Sequence, residues 1–189
     1  MKNFSGQQFT FKCDSTSLDF IGTLKSRREE HPVDLLRSPE DAATWFRESG
    51  IVDDSLPFTT RDLSRAVDLR AAVAAVVDAH LAGTPFPTDS LATINDIAGK
   101  PAPVPQLTSA GRSITAGPQH AMSAIARDVI DILGGPTATL IKECSRNGCN
   151  QVYVDRSRGG RREWCAMDPC GNLMKAREYR ARKAASPAT

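Results

Sequence analysis

The sequence predicts a mainly α protein of the α+β type, with a helical N-terminal body and a small C-terminal module in which a β-hairpin precedes a helix. Apolar residues recur at helical spacing in several capped segments of the first 135 residues. Four of the five cysteines fall in the last third of the chain, as two Cys-x4-Cys pairs separated by 15 residues. Gly134, Gly135 and Pro136 interrupt the chain between the two regions. We therefore divide the 189 residues into a helical body, residues 1–136, and a cysteine module, residues 137–185.

The helical body begins with an apolar segment, residues 17–24, which starts either a strand or a helix. Ser38 is placed to cap the next helix, with Pro39 in its first turn, and this helix ends near Gly50. The longest helix begins after Thr59 or Thr60 and ends at residues 83–85, where glycine and proline follow its last apolar position. Its apolar residues recur at helical spacing: Leu63, Val67, Ala74, Val77 and Leu81.

Two further helices are expected in the body. One covers residues 88–98, and the other begins at Pro118, carries an apolar face and stops at Gly134. Between them, the prolines of residues 101–105 indicate a stiff, extended connector. Residues 106–116, with Gly111 in the middle, alternate weakly, as a short hairpin would.

The cysteine module changes from helical to strand patterns. Residues 139–144 alternate weakly and lead into the first cysteine pair, and residues 151–155 are rich in residues that favour a strand. Residues 158–162 are expected to form a turn, after which residues 163–165 return along that strand. Residues 171–185 are expected to form a helix that begins directly after Cys170.

The two cysteine pairs have the spacing of a metal site. Gly148 and Pro169 each precede a cysteine, where a tight turn brings two sulfurs towards one ion. In a reducing cytoplasm such pairs are expected to bind metal rather than to form disulfides. One structural Zn²⁺ with no open coordination position is therefore expected, against the alternatives of packed thiols or a redox-active set. Its ligands would be Cys144, Cys149, Cys165 and Cys170, whereas Cys13 stands apart as an ordinary thiol.

The net charge of +2 hides an asymmetry along the chain. Residues 144–183 carry ten basic and four acidic residues, a balance of +6, which leaves −4 on the rest. A basic segment on an acidic body can dock on a polyanion while the body is held away from it. Arginine binds phosphate through two parallel hydrogen bonds and reaches guanine edges in the major groove. The candidate DNA-binding residues are Arg156, Arg158, Arg161, Arg162, Lys175, Arg177, Arg180 and Arg182.

Composition also narrows the classes of function. No apolar run approaches the roughly 20 residues of a membrane span, and the first ten residues lack the pattern of a secretory signal. We therefore expect a cytoplasmic protein, associated with the nucleoid when it is bound to DNA, and no membrane partner. His31, His80 and His120 are isolated, and the chain has neither a glycine-rich phosphate loop nor a nucleophile motif, so no enzymatic activity is expected.

The cysteine module resembles the CGNR zinc finger. The resemblance rests on the Asp-x-Ser segment at residues 155–157, the arginine pair at 161–162, Trp164-Cys165, the Cys-Gly-Asn run at 170–172 and the basic helix after it. The helical body is similar to the ABATE domain, whose first motif matches the sequence Leu-Asp-Phe-Ile-Gly-Thr at residues 18–23. Together the two resemblances cover nearly the whole chain.

The resemblance implies a stress-induced bacterial transcription regulator with a DNA-binding finger. It implies that the four cysteines are the zinc ligands, and that the matching basic positions are Arg158, Arg161, Arg162, Lys175 and Arg177. This sequence departs from the family pattern at three positions. Leu173 stands where the motif has arginine, Gly22 stands where asparagine is more usual, and Glu163 follows the arginine pair.

The leading hypothesis is a zinc-dependent DNA-binding regulator whose body dimerises, binds a small-molecule effector, or both. A second hypothesis is a zinc-stabilised module that docks on an acidic protein partner, which the loss of a basic residue at Leu173 favours. RNA binding is a variant of the first, since the aromatic residues of the module can stack on bases or pack its small core. A redox sensor that releases zinc on thiol oxidation is a further alternative.

Overall fold

The computed structural model describes residues 9–54 and 56–185, so residues 1–8 of the expected helical body lie outside the described part. Within it, the α-helices α1 to α6 span, in chain order, Thr16–Ile21, Pro39–Glu48, Thr60–Ala82, Thr88–Ala98, Pro118–Gly134 and Asn172–Ala185. Helices α1 to α5 belong to the body and α6 ends the cysteine module. A 3-10 helix, Pro136–Leu140, joins body to module, and a wide helical turn, Met167–Gly171, leads into α6.

The helix boundaries follow local capping chemistry, which confirms the helices predicted from the sequence. The Ser38 hydroxyl accepts a hydrogen bond from the Asp41 backbone N–H, and Pro39 is the first residue of α2. Thr59 and Asp62 form a reciprocal capping box at the start of α3. The apolar segment at residues 17–24, for which strand or helix was open, forms the short helix α1 with Ser15 as its cap.

Three antiparallel hairpins accompany the helices in the described residues. Strands β1 (Leu24–Lys25) and β2 (Val33–Asp34) were not predicted, whereas β3 (Gln106–Thr108) and β4 (Gly111–Ser113) form the expected short hairpin. In the cysteine module, β5 (Ile141–Glu143) pairs with β6 (Val152–Val154). A hairpin before the last helix is therefore confirmed, but its loop carries the first cysteine pair and not the turn expected at residues 158–162.

The pairing partner of β6 differs from the sequence prediction. Residues 163–165 were expected to return along this strand, but β5 occupies that place. Ile141 lies opposite Val154, and both are buried, so this pairing brings two apolar side chains into the core. The Glu163 carbonyl oxygen instead accepts a hydrogen bond from the Ser145 backbone N–H, in the loop between β5 and β6.

The hydrophobic core of the body is built on aromatic residues and on the packing of α3, α4 and α5. Phe20, Trp45 and Phe46 are fully buried, and their ring centroids lie 4.9 to 5.8 Å apart. The same core continues into the module, where Val152, Tyr153 and Val154 of β6 are all 0% exposed. The module therefore completes the core of the body.

Polar contacts also fix the module against the body. The Val154 backbone N–H donates to the Cys13 carbonyl at 2.8 Å. The Arg28 guanidinium binds Asp78 of α3 at 2.6 Å and Glu143 of β5 at 2.7 Å, which links a body helix to a module strand. These contacts give the module a defined orientation on the body.

In the described residues, every helix is too short or too polar to cross a membrane.

Candidate metal centre and nucleic-acid interface

The structure brings the four predicted cysteines together. Their Sγ atoms all lie within 4.8 Å of one another, and three of the separations are 3.6 to 3.8 Å. Four sulfurs at the corners of a tetrahedron around Zn²⁺, with zinc–sulfur distances of about 2.3 Å, lie about 3.8 Å apart. Cys144, Cys165 and Cys170 are buried and Cys149 is half-buried. The cluster therefore fits one structural zinc ion with four protein ligands.

Two close turns shape the cluster. Gly148 precedes Cys149 with a φ of +73°, a left-handed conformation that glycine adopts without strain. Gly171 follows Cys170, and a Cβ atom on it would lie 2.8 Å from the Met167 sulfur and 3.2 Å from the Trp164 ring. The second cysteine pair can therefore fold back on itself because this position carries no side chain.

The sulfurs of the cluster influence one another's ionisation. Hydrogen bonding from Cys165, reinforced by the Gln151 backbone N–H, lowers the pKa of Cys149 to about 4. The same contact with Cys149 raises the pKa of Cys165. A thiolate is the form of cysteine that binds a metal.

Arg146 supplies positive charge next to the cluster. Its Nε atom donates to the Cys170 sulfur at 3.0 Å, and this contact raises the pKa of the guanidinium. Four thiolates around one Zn²⁺ carry a net charge of −2, so a neighbouring cation stabilises the site electrostatically. Sequence reasoning passed over Arg146, although its position inside the first Cys-x4-Cys spacer was a usable signal.

The loop after β6 is anchored by Asp155, the aspartate of the Asp-x-Ser segment. Its buried carboxylate accepts hydrogen bonds from Lys142 Nζ at 2.8 Å, from the Ser157 hydroxyl at 2.6 Å and from the Arg162 backbone N–H at 3.1 Å. Lys142 and then Ser157 hold the pKa of this carboxyl well below its usual range. The anchored loop presents Arg156, Arg158 and Arg161 to solvent.

Arg162, the second arginine of the pair, is directed into the protein. Its Nη1 atom binds Asp14 at 2.6 Å, its Nη2 atom binds the Lys12 and Cys165 carbonyls, and its Nε atom binds the Trp164 carbonyl at 3.0 Å. The guanidinium also stacks on Tyr153, 4.3 Å from the ring centroid. The side chain is 23% exposed, and its donors are engaged by the body and by the second cysteine pair.

Helix α6 carries the remaining candidate DNA-binding residues. Lys175, Arg177, Arg180 and Arg182 are all exposed, and the packing contacts of α6 are chiefly with the turn that precedes it. Lys175 Nζ lies 6.0 Å from the centre of the Trp164 ring, on the side of the helix nearest the cysteine cluster. Arg177 and Arg180 project from the opposite side by helical geometry. Arg156, Arg158 and Arg161 lie apart from this helix in sequence, on the loop after β6.

The glycine at position 22, where the family pattern more often has asparagine, is explained by the position of the Gln151 side chain. A Cβ atom on Gly22 would lie 2.3 Å from the Gln151 side-chain amide. That amide donates to the Cys13 sulfur at 3.0 Å and to the Leu18 carbonyl at 3.3 Å. A side chain from the module thus occupies the space where an asparagine at position 22 would project.

Comparison with known families agrees with this division of the chain. The sequence model of the ABATE family, described as "Putative stress-induced transcription regulator", matches residues 14–136. The sequence model of the CGNR zinc finger matches residues 141–183. A search of curated proteins finds no match.

Proposed function

Because the chain belongs to the ABATE family and carries a CGNR zinc finger after the ABATE region, we propose that it is a zinc-dependent DNA-binding transcription regulator. It acts without enzymatic chemistry, by placing a basic surface on DNA. The helical body regulates DNA binding, by dimerisation or by binding an effector. The observation that carries the proposal is the exposed basic surface built directly on the four-cysteine cluster.

In this proposal Cys144, Cys149, Cys165 and Cys170 hold one structural Zn²⁺. The sulfur separations close to a tetrahedral edge and the cation at Arg146 support this assignment. When bound, the ion ties together two turns that have little apolar surface of their own, so it supplies folding free energy to the module. The protein residues fix the sulfur positions and keep the site shielded from water.

The DNA-binding surface comprises the loop after β6 and helix α6. Arg156, Arg158 and Arg161 extend from a loop that Asp155 anchors, so their backbones are fixed while their guanidinium groups are free to meet phosphate. Helix α6 is about 21 Å long at 1.5 Å per residue, and it is polar around most of its circumference. A helix with so little packing gains order when a groove of DNA surrounds it. We assign Arg162 to holding this surface in place rather than to phosphate contact.

The metal assignment is tested by measuring zinc content and thermal unfolding of the purified protein. We expect one zinc per chain, loss of zinc in Cys149→Ser and Cys170→Ser, and a lower melting temperature after chelation. Cys13→Ser serves as the matched control, because Cys13 lies outside the cluster. This variant is expected to keep a zinc content of one per chain. A melting curve that chelation leaves unchanged would contradict a structural metal.

The DNA assignment is tested by selecting bound fragments from a random DNA pool at physiological salt. The wild-type protein is compared with Arg158→Glu/Arg161→Glu and with Arg47→Glu/Arg61→Glu, which makes the same change in net charge on exposed positions of the body. We expect one enriched motif for the wild type and the body variant, and none for the loop variant. Equal binding by both variants would refute the loop as a DNA contact.

A protein partner is the second candidate function. Leu173 is 49% exposed and Tyr179 is 63% exposed on α6, and two such residues on a basic helix suit an acidic protein with apolar pockets. Capture of a partner that persists after nuclease treatment, without any selected DNA or RNA, would favour this function over the first.

A further inference from the structure

Two clefts lie side by side where residues 10–13 of the body meet the cysteine module. One has a volume of about 460 Å³ and the other about 250 Å³, and both are lined by Lys12, Cys165 and Ala166. Because they share these residues, they adjoin each other along the contact between body and module. We call the two clefts together the junction groove, which is lined by Lys12, Lys25, Arg146, Arg161, Trp164 and Met167, and in its smaller cleft also by Cys149, Cys165 and Cys170 of the cysteine cluster.

The junction groove is positively charged. Five basic residues line it, Lys12, Lys25, Arg146, Arg161 and Arg162, against the acidic residues Glu163 and Asp168 and the cysteine cluster, which carries −2 with one Zn²⁺ bound. The balance is a small positive excess, concentrated away from the sulfurs. Arg146 faces the Cys170 sulfur, so its charge is partly offset by the cluster. Arg161 has an exposed side chain, and among the described residues it forms no ion pair.

The two lysines come from the body and lack acidic partners. Lys12 Nζ has only a long contact of 3.4 Å to the Asp168 backbone carbonyl, and Lys25 Nζ has one of 3.4 Å to the Thr10 hydroxyl. Across residues 9–54 and 56–185, neither lysine forms an ion pair with a carboxylate. Lys25 is half-buried, and the contact of its ammonium with Thr10 is exposed, so an anion can approach it.

The groove leads to the surface that we assign to DNA. Arg161 belongs both to the groove and to the loop after β6, and Trp164 in the groove wall lies beneath Lys175 of α6. Arg162, which lines the same cleft, binds the Lys12 carbonyl at 2.6 Å and so fixes the backbone that carries Lys12. The Lys12 backbone is therefore held at a set position relative to the module's Arg162.

We propose that the junction groove binds the sugar–phosphate backbone of DNA, and that Lys12 and Lys25 of the body are phosphate contacts. This inference rests on the proposed DNA-binding function and adds the body itself to the interface. When both the body and the finger contact the phosphates, the finger meets DNA in one orientation, because phosphate contacts set register and orientation.

The test is a salt titration of DNA affinity for the wild-type protein, Lys12→Gln/Lys25→Gln, and the control Arg61→Gln/Lys100→Gln. Each phosphate contact contributes about 0.9 to the slope of log K against log salt concentration. The groove variant should therefore lose about 2 in slope, while the control keeps the wild-type slope and both variants melt as the wild type does. A second readout uses the wild-type protein alone, in which bound DNA should protect Lys12 and Lys25, but not Lys100, from acetylation.

The outcomes separate the two proposals. A steep wild-type slope that falls in Arg158→Glu/Arg161→Glu, but stays unchanged in the groove variant, would overturn the junction groove and leave DNA binding by the module intact. Wild-type protein that binds no DNA would overturn both. A reduced slope together with protection of both lysines would establish the body as part of the interface.

Discussion

Replacing Arg162 with methionine is expected to destabilise the folded protein by about 3–4 kcal/mol, whereas Arg161→Met should cost less than about 0.5 kcal/mol. The two arginines are adjacent and chemically identical, but only Arg162 is directed inward. Substituting an exposed side chain that has no partner rarely changes stability by more than about 0.5 kcal/mol. The pair therefore serves as its own control.

The magnitude follows from the contacts of Arg162. Its guanidinium makes three good hydrogen bonds to the backbone carbonyls of Lys12, Trp164 and Cys165, and each contributes about 1 kcal/mol at this partial exposure. The ion pair with Asp14, which is 47% exposed, adds no more than about 1 kcal/mol, and stacking on Tyr153 adds roughly 0.5–1 kcal/mol. Methionine keeps part of the apolar stem, and neighbouring contacts are not additive, which reduces the sum to about 3–4 kcal/mol.

The assay is urea denaturation of zinc-loaded protein, followed by circular dichroism, for the wild type, Arg161→Met, Arg162→Met and Arg162→Lys. Lysine keeps the charge but cannot donate hydrogen bonds to several carbonyls in the planar arrangement of a guanidinium, so Arg162→Lys should lose nearly as much stability as Arg162→Met. Arg161→Met should unfold like the wild type and bind DNA more weakly. An Arg162→Met protein within 1 kcal/mol of the wild type, or full rescue by lysine, would refute the reasoning.

Three further predictions concern other positions. Gly171→Ala should lower stability by about 1 kcal/mol and weaken zinc retention, because the new methyl group displaces the exposed Met167 side chain and presses on the Trp164 ring. Thermal melts with a zinc indicator measure both effects. Asp34→Asn should be less stable than the wild type above about pH 4, because Arg70 lowers the folded-state pKa of Asp34 and so stabilises its ionised form. The difference in stability should disappear as the pH falls through this folded-state pKa. Urea denaturation of both proteins across pH 3–7 measures it. Leu173→Arg, which restores the residue usual in the finger motif, should raise DNA affinity and increase the salt slope by about 0.9 without changing the melting temperature, because position 173 is half-exposed.

Local chemistry made the helices predictable from the sequence. Ser38 and Thr59 mark helix starts through side-chain hydrogen bonds to residues three positions on, and Pro118 does so through its fixed φ. The chain therefore carries these signals in short segments. The cysteine cluster was likewise predictable, since its spacing alone indicates four sulfurs around one ion.

Contacts between distant residues were not predictable in this way. Residues 163–165 and β5 both had weak strand patterns, and only the burial of Ile141 against Val154 decides between them. Arg162 resembled its neighbour Arg161 in every local respect, and its inward direction depends on Asp14, 148 residues away. Lys12 and Lys25 carried no motif, because their place beside the module arises from packing.

The shared core also bears on how such proteins can evolve. Val154 pairs with Cys13, Gln151 fills the space above Gly22, and Arg162 binds Asp14, so the finger and its body fit each other residue by residue. Recombination near residues 137–140 that joined this body to a finger from another lineage would bring together surfaces that had not been selected together. We expect the Gly22–Gln151 and Asp14–Arg162 positions, where side chains decide the fit, to change in concert among related sequences. Chimaeras should fold best when both members of each of these two pairs are transferred together.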